Sequence, residues 1–237
     1  MSETINFTID GVEVTGQAGQ SIMQAADDAG IYIPRLCAME GLSVFGACRV
    51  CTVLVNGRPQ AACTQPIIEG MTVENDTDEI MAIRRDIIDM LFVEGNHFCM
   101  FCEKSGNCEL QALAYRFGIL APGFPLQFPD RDVDASHADI FIDRNRCILC
   151  GRCVRASQEL DGKGVFGFVG RGADKKVAVN AEACLAQTSA DVIDKAVEAC
   201  PVGALLVKRT AYRVPIGQRK YDRRPIGSNI EQTATPE

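Results

Sequence analysis

The sequence predicts an α+β chain in which three small modules follow one another and are stabilised by bound metal as well as by apolar cores. Two observations predict this. Segments with the alternating pattern of strands are interleaved with segments that have the 3.6-residue pattern of helices along the 237 residues. Eleven of the twelve cysteines also fall into three groups at metal-ligand spacing. Each module is therefore expected to contain one cysteine group.

The first predicted module is residues 1–78. A strand that alternates apolar and polar residues leads through Asp10-Gly11, a strong hairpin signal, into a second strand. Ser21 can cap a helix that Gly30 ends, and a cysteine-rich loop then leads to another strand. This order is that of a β-grasp fold, as in plant-type ferredoxins. The predicted elements are strands at Ile5–Ile9, Val12–Thr15 and Val50–Val55, the last broken at Asn56-Gly57, and a helix with Ile22, Ala25, Ala26 and Ala29 on its apolar face.

Residues 79–120 are expected to be mainly helical. Apolar side chains recur on one side of a helix that Gly95-Asn96 ends, with charged side chains mostly opposite, and a second helix follows from about Glu109 to Phe117. Residues 121–138 contain three prolines and several charges, which predicts a linker. On the first helix the apolar residues are Met81, Ile83, Ile87, Ile88, Met90 and Leu91, and the charged residues are Arg84, Arg85, Asp86 and Asp89.

Residues 139–207 are expected to form a compact ferredoxin-like module, and residues 208–237 a basic C-terminal tail. The tail has seven basic and three acidic residues, a net charge of +4, so the rest of the chain, with 17 basic and 28 acidic residues, carries −11. A tail of this kind either docks on another surface or is solvated and partly disordered. In the module we expect strands at Ile140–Ile142, Val165–Val169, Lys176–Val179 and Leu205–Val207, and helices at Val154–Leu160 and Asp191–Ala199.

The first cysteine group consists of Cys37, Cys48, Cys51 and Cys63, with spacers of ten, two and eleven residues. Two glycines in the long loop let the backbone bend, so that amides can point at sulfur. Four thiolates in a β-grasp context predict a [2Fe–2S] cluster. A structural zinc ion held by the same four thiolates is the alternative.

The second group consists of His97, Cys99, Cys102 and Cys108. Three cysteines within ten residues need a fourth ligand, and His97 is the nearest candidate, because the one other histidine, His137, lies in the predicted linker. An imidazole in place of a thiolate makes a cluster less negative and raises its reduction potential. The group therefore predicts a [4Fe–4S] cluster, with zinc as the alternative.

The third group is the run Cys147-x2-Cys150-x2-Cys153 with a remote Cys200-Pro201. This run is typical of bacterial ferredoxins and predicts one [4Fe–4S] cluster. A two-cluster ferredoxin has a further cysteine after three more residues, where this chain has a serine, so no second cluster is expected in this module. Cys184 is left over, and we assign it no role.

The composition argues against several classes of protein. A formal net charge of −7 argues against a nucleic-acid partner. No apolar stretch reaches the roughly 18 residues of a membrane span, and the segment that begins at Met1 has no basic region typical of a secretory signal. We therefore expect the cytoplasm, where clustered cysteines bind metal rather than form disulfides.

Motifs for chemistry at protein side chains are missing from the sequence. There is no G-x-G-x-x-G after a strand and no P-loop, and the closely spaced glycines between 164 and 172 fit loops and strand ends. The sequence offers few candidates for a general acid or base, because both histidines lie in or near linkers. We expect no catalytic residue, and we expect the chain to move electrons.

The order of the three modules resembles the N-terminal part of the large iron–sulfur subunit of respiratory complex I and the N-terminal region of iron-only hydrogenases. Over residues 3–221 the chain is most similar to the diaphorase small (gamma) subunits of soluble NAD-reducing [NiFe] hydrogenases. One departure is that the wider family has its histidine four residues before the first cysteine, whereas His97 is two before Cys99. The stretches that carry the resemblance are Tyr32–Cys37, Ala47–Cys51, Glu94–Cys99, Cys102–Gln111 and Pro215–Tyr221.

The resemblance implies a hydrogen:NAD+ oxidoreductase of several subunits, in which this chain is a non-catalytic relay. Its partners would be a flavoprotein diaphorase large subunit, which binds FMN and NAD(H), and the small and large hydrogenase subunits, which hold Ni–Fe. Three alternatives remain open. The chain could be the equivalent subunit of an NAD-dependent formate dehydrogenase or a complex I-type NADH dehydrogenase, a free multi-cluster ferredoxin, or a zinc-bound structural module.

Overall fold

The computed structural model describes residues 3–231, which form ten strands in three sheets and seven α-helices. The first two residues of the predicted first module and residues 232–237 of the predicted tail lie outside the described residues. The expected α+β fold class, with its β-grasp, helical and ferredoxin-like parts, is confirmed.

A five-stranded mixed sheet forms the N-terminal part of the chain. Its strand order is β2-β1-β5-β3-β4, in which β1 and β5 are parallel and the other neighbours are antiparallel. One helix, α1, packs on this sheet and leads to the loop that bears the first cysteine group. The elements are β1 (Thr4–Ile9), β2 (Val12–Gln17), α1 (Ile22–Asp28), β3 (Thr52–Val55), β4 (Arg58–Ala61) and β5 (Thr72–Glu74).

Local sequence signals determine most of this module. The hairpin turn is confirmed, because Asp10 and Gly11 both have positive φ angles, 51° and 80°. Ser21 caps α1 as expected and forms a capping box with Gln24. Strand β3 begins at Thr52 rather than at Val50. The reason is a turn, in which the Thr52 N–H donates to the Arg49 carbonyl at 3.0 Å and Arg49 has a φ of 59°.

Helix α2 (Asp78–Val93) begins at the cap Thr77 and differs from the predicted amphipathic pattern at three positions. Arg84 and Asp89, expected on the solvent side, are buried, whereas Met90 is 47% exposed. Asp89 is buried because its Oδ2 accepts the Gly123 N–H at 2.7 Å. The prediction was wrong here because charged side chains that have several hydrogen-bond partners can be buried, which hydrophobic periodicity does not detect.

Arg84 links α2 to the sheet. Its guanidinium is 2% exposed and donates to the Asn75 carbonyl at 2.8 Å, the Asn75 Oδ1 at 2.7 Å and the Thr52 carbonyl at 2.9 Å. Burial lowers the pKa of Arg84 to about 10, so the side chain is still a cation at neutral pH. It therefore holds the strand that follows Cys51 against the helix that leads to the second group.

Replacing Arg84 by methionine is expected to destabilise the chain by about 3 kcal/mol, because three buried acceptors lose their donor at once. The measurement is the free energy of unfolding in a denaturant titration of the full chain. Arg85→Met is the matched control, because Arg85 is exposed and, among residues 3–231, donates to the Phe117 carbonyl alone. We expect a loss below about 1 kcal/mol. Equal losses for the two variants would contradict the role given to Arg84.

The central part of the chain contains α2, a short 3₁₀ turn at Cys99–Phe101 and α3 (Glu109–Arg116), close to the predicted helix. The predicted linker contributes a short strand, β6 (Val133–Asp134), which pairs with β7. This strand was not expected, because two residues carry too little periodicity to be detected. The remaining elements of this half are β7 (Ile140–Asp143), α4 (Arg152–Glu159), β8 (Phe166–Val169), β9 (Lys176–Val179), α5 (Lys195–Glu198) and β10 (Leu205–Val207).

Two small sheets build the ferredoxin-like part, one with the order β10-β7-β6 and one with the pair β8-β9. Helix α4 begins two residues earlier than expected because Gly151, with a φ of 69°, turns the chain into it. Helix α5 is shorter than expected. The Asp194 carboxylate accepts the Asp191 N–H at 2.8 Å, so the preceding residues form a turn rather than a helix.

The described part of the tail packs on its own chain. It contains α6 (Lys220–Arg223) and α7 (Ser228–Glu231). The Tyr221 N–H donates to the Gly106 carbonyl at 2.9 Å, and Gly227 lies directly on the Tyr32 ring. Part of the described tail therefore packs on its own chain, and docking of the tail on another surface stays a prediction.

One apolar core lies within the N-terminal sheet, and a second joins the rest of the chain to the first cysteine loop. The second core includes Tyr32, Leu36 and Val50 from that loop together with α3 and the small sheets. No helix within residues 3–231 is long and apolar enough to cross a membrane.

Candidate metal centres

The first group is gathered by the loop between α1 and β3 and by the end of β4. Cys51 Sγ and Cys63 Sγ are 3.4 Å apart, and the Cys37 N–H points at Cys48 Sγ at 3.4 Å. Three of the four cysteines are buried and Cys48 is partly exposed. The four predicted ligands therefore meet in one place.

Contacts among the thiols redistribute charge in this group. Hydrogen bonds from the Cys48 and Cys63 thiols lower the pKa of Cys37 to about 2, and the same contacts raise the pKa of Cys48 and Cys63. One thiolate is thus stabilised by its neighbours. Converging sulfurs that share negative charge are the donor set that iron or zinc prefers.

The second group is held by the turn at Cys99–Phe101 and by the start of α3. Cys108 caps α3, and its sulfur accepts the Gln111 N–H at 3.5 Å. Cys102 lies 3.7 Å from a guanidinium nitrogen of Arg146, which also binds Glu103 at 2.6 Å. Arg146 belongs to the ferredoxin-like part, so this group lies at the junction of two parts of the chain.

His97 has the features of a ligand. Its Nε2 atom is buried and has no hydrogen-bond partner. Burial, followed by the nearby charge of Arg146, lowers the pKa of His97 to about 4, so the imidazole is neutral at pH 7. Phe92 packs edge-on against the ring, with centroids 5.5 Å apart. A neutral imidazole with an unused buried nitrogen has the chemistry of a metal ligand, and its place as the fourth ligand of this group stays a prediction.

The third group surrounds a small apolar cavity. All four predicted ligands, Cys147, Cys150, Cys153 and Cys200, line it. The N–H groups of Leu149, Arg152 and Val154 point at the sulfurs of the first three cysteines and favour their thiolate forms. The rest of the wall is formed by Ile142, Ile148, Gly151, Val177, Val202, Ala204 and Leu205. Four sulfurs around a dry space with amides directed at them suit a [4Fe–4S] cluster.

Within residues 3–231, no three His, Cys, Asp or Glu side chains, those of the cysteine groups included, stand at the spacing that holds a single metal ion. The three groups are therefore candidate cluster sites by their shared location, and their ligand sets stay predictions. Cys184 does not line the cavity of the third group, and it precedes a short turn at Leu185–Gln187. It stays without a role. Of the glycines between 164 and 172, Gly164 and Gly170 lie in the loops beside β8, Gly167 lies within that strand, and Gly172 begins a short 3₁₀ turn.

A direct contact joins the second and third groups. The Glu109 N–H, next to Cys108, donates to the Pro201 carbonyl, next to Cys200, at 2.8 Å. This bond and the two arginines of α4, Arg152 and Arg155, were missed from the sequence. The arginines resemble solvated charges there, although one of them lies inside a metal-binding run, which is a signal that could have been used.

Binding of metal at the third group should depend on pH. Burial raises the pKa of Cys147 to about 11 and of Cys150 to about 12, above the usual value near 9. Each thiol must lose its proton to bind iron, and the thiolate fraction grows about tenfold per pH unit below the pKa. Reconstitution of the metal-free chain with iron and sulfide is therefore expected to be at least about tenfold faster at about pH 8.5 than at about pH 6.5. The measurement is the rate at which visible absorbance grows. Equal rates at the two pH values would contradict the conclusion that these thiols are protonated in the metal-free chain.

Three family models match the chain in the expected order. Residues 2–78 match a 2Fe-2S iron-sulfur cluster binding domain, and residues 84–122 match the NADH-ubiquinone oxidoreductase-G iron-sulfur binding region. Residues 138–206 match the ferredoxin-like domain of NADH-quinone oxidoreductase subunit 3. The chain therefore carries a 2Fe–2S-binding domain followed by two further iron–sulfur regions.

One relative covers almost the whole chain. The gamma subunit of the NAD-reducing hydrogenase HoxS of Cupriavidus necator is 40% identical over 220 residues, which are 92% of this chain and 94% of that protein. This chain belongs to the gamma-subunit family. In a crystal structure of an NAD+-reducing [NiFe]-hydrogenase in the H2-reduced state, one chain is 42% identical, with a TM-score of 0.92 and coverage of 98% of this chain and 99% of that one.

More distant relatives are parts of longer proteins. The mitochondrial 78 kDa subunit of NADH-ubiquinone oxidoreductase from Candida albicans is 36% identical, and the match covers 95% of this chain but 32% of that protein. The predicted resemblance to the gamma subunits and to complex I is thus confirmed. The likeness supports an iron–sulfur subunit of an oxidoreductase.

Proposed function

We propose that this chain relays electrons between a hydrogenase module, which oxidises H2 at Ni–Fe, and a flavoprotein subunit that binds FMN and NAD(H). The observation that carries this proposal is the similarity of the chain to the gamma subunit of an NAD-reducing hydrogenase. The four cysteines that line one cavity at the third group support it. Its cofactors would be one [2Fe–2S] cluster at the first group and two [4Fe–4S] clusters at the second and third groups. FMN, NAD and Ni–Fe would belong to the partner subunits, and the complex would work in the cytoplasm.

Iron–sulfur clusters bound at these groups supply one-electron redox centres. The protein side chains and amides set the conditions for their use. Amides of Leu149, Arg152 and Val154 stabilise negative charge on sulfur, and the apolar wall of the third group keeps water away. The hydrogen bond from Glu109 to Pro201 holds the second and third groups beside each other. This role requires no side chain to transfer a proton or to form a bond with a substrate.

Exposed apolar side chains beside the second group support a docked subunit rather than a free ferredoxin. Phe98, Met100 and Phe101 flank Cys99 and are all exposed. A free carrier in water has no need of three large apolar side chains around one redox centre, whereas a subunit interface does. We infer that this face contacts the neighbouring subunit with which the second group exchanges electrons.

The test is to purify the chain from its native source without dissociating partners. We expect about ten irons with matching acid-labile sulfide per chain, two from the [2Fe–2S] cluster and four from each [4Fe–4S] cluster. We also expect nickel in the complex and reduction of NAD+ by H2. Molybdenum in place of nickel would indicate a formate dehydrogenase. Colourless protein that contains zinc, or a monomer without partners, would contradict the proposal.

A further inference from the structure

Arg152 lies inside the third cysteine run, between Cys150 and Cys153, and is 4% exposed. Two of its guanidinium nitrogens bind both carboxylate oxygens of Glu109, at 2.7 and 2.8 Å. One of them also donates to the Ala38 carbonyl at 2.9 Å. Such a two-pronged contact fixes the position of both partners.

The two partners of Arg152 adjoin ligands of the other groups. Glu109 directly follows Cys108 of the second group, and Ala38 directly follows Cys37 of the first. One buried side chain therefore contacts the backbone or side chain beside a predicted ligand of every metal centre. No such pattern is visible in the sequence, because the three positions are 43 and 114 residues apart.

Arg155, one helical turn later, provides a comparison. It donates to the Cys37 carbonyl at 2.6 Å and to the Ser43 carbonyl, and more weakly to the Cys150 carbonyl at 3.5 Å. Its contacts among the described residues thus join the first and third groups, whereas Arg152 also reaches the second.

The charge on Arg152 is retained in this setting. Arginine stays protonated in proteins, and the two-pronged contact with the Glu109 carboxylate places an opposite charge directly against the guanidinium. A buried cation attracts an added electron more strongly than a solvated one, because the protein interior screens charge less than water does.

We propose that Arg152 is a positioning residue shared by the three metal centres, which fixes their ligand segments relative to one another and keeps the reduction potentials of the second and third centres in one range. This inference rests on the proposed function, since it requires iron–sulfur clusters at these groups. Loss of the charge should make the reduced state of both clusters less favourable. Loss of the Glu109 charge should do the opposite.

The test is a redox titration of the full chain with its clusters, followed by EPR, for Arg152→Gln, Arg152→Lys and Glu109→Gln. In Arg152→Gln we expect the equilibrium constant for reduction of each [4Fe–4S] cluster to fall about tenfold. This corresponds to a reduction potential that is lower by about 59 mV for one electron. Arg152→Lys keeps the charge, so its equilibria should stay within about threefold of the unmodified protein. Glu109→Gln should move both equilibria in the opposite direction.

Two further variants separate charge and position from general damage. Arg155→Gln should shift the reduction potential of the third cluster and leave that of the second cluster unchanged. Arg116→Gln is the matched control. Arg116 binds the Glu231 carboxylate and the Ile226 carbonyl and lies over the Tyr32 ring, and these partners do not adjoin a predicted ligand of the second or third group, so neither potential should move.

Unchanged potentials in Arg152→Gln would overturn the proposal. If Arg152→Gln loses its iron, the potentials of Arg152→Lys and Glu109→Gln test the proposal instead. Unchanged potentials in Glu109→Gln would then overturn it. Iron analysis separates this failure from failure of the proposed function. A chain with about ten irons and unmoved potentials refutes only the role of Arg152, whereas an iron-free native chain refutes the relay itself.

Discussion

Replacing Cys150 by alanine is expected to remove one [4Fe–4S] EPR signal and to stop electron flow from H2 to NAD+. The iron content should fall from about ten to about six per chain, because one four-iron cluster is lost. Cys150 is buried at the wall of the cavity that all four cysteines of the third group share, so no other sulfur can take its place without moving backbone. Oxidation of NADH with an artificial acceptor should persist, because that reaction needs only the flavoprotein partner.

Cys184→Ala is the matched control for this variant. Cys184 is partly exposed and does not line the cavity of the third group, so its removal should leave iron content, EPR signals and both activities unchanged. Hydrogen-driven NAD+ reduction at the full rate in Cys150→Ala would show that electrons bypass the third group. That outcome would remove the basis for the proposed relay.

Replacing His97 by cysteine is expected to lower the reduction potential of the second cluster on the order of 100 mV and to leave its iron in place. The neutral imidazole would be exchanged for a thiolate, which adds negative charge to the ligand set. The unpartnered, buried Nε2 and the pKa of about 4 indicate that the His97 imidazole is uncharged. The measurement is an EPR-monitored redox titration of the complex, together with the rate of H2-dependent NAD+ reduction, which should fall.

His137→Gln is the control, because His137 is the only other histidine. Its Nδ1 accepts the N–H groups of Asp139 and Ile140 at 3.1 and 3.2 Å, which is a local turn-stabilising role. The second cluster should keep its potential in that variant. An unchanged potential in His97→Cys would show that His97 is not a ligand, and a solvent molecule or another side chain would have to complete the group.

The sequence predicted those parts of the fold that depend on local chemistry. The Asp10-Gly11 turn, the Ser21 cap and strands such as Lys176–Val179 follow from residues that are neighbours in the chain. The errors concern interactions between distant segments. Arg84 was expected in solvent, yet its partners lie 9 and 32 residues away, and the strand at Val133–Asp134 exists only because β7 pairs with it.

The same division applies to the metal centres. Cysteine spacing predicts three ligand sets, because a cluster needs four donors within a short reach of each other. The structure brings cysteines of the first group together and places those of the third around one cavity. The environment of the ligands was not predictable. The unpartnered nitrogen of His97, the bond from Glu109 to Pro201 and the contacts of Arg152 all depend on packing between modules that spacing does not encode.

The tail that lies on Gly106 and on the Tyr32 ring has a consequence for the rate of electron tunnelling, which falls steeply as the gap between redox centres widens. Gly227 presses on a residue five positions before the first cysteine, while Tyr221 is tied to the loop just before Cys108. The C-terminal segment thus links the first and second cysteine groups, where two clusters are predicted. Cleavage by a protease near residue 210 would release this segment. We then expect the rate of electron transfer to fall, although every predicted ligand remains in the molecule.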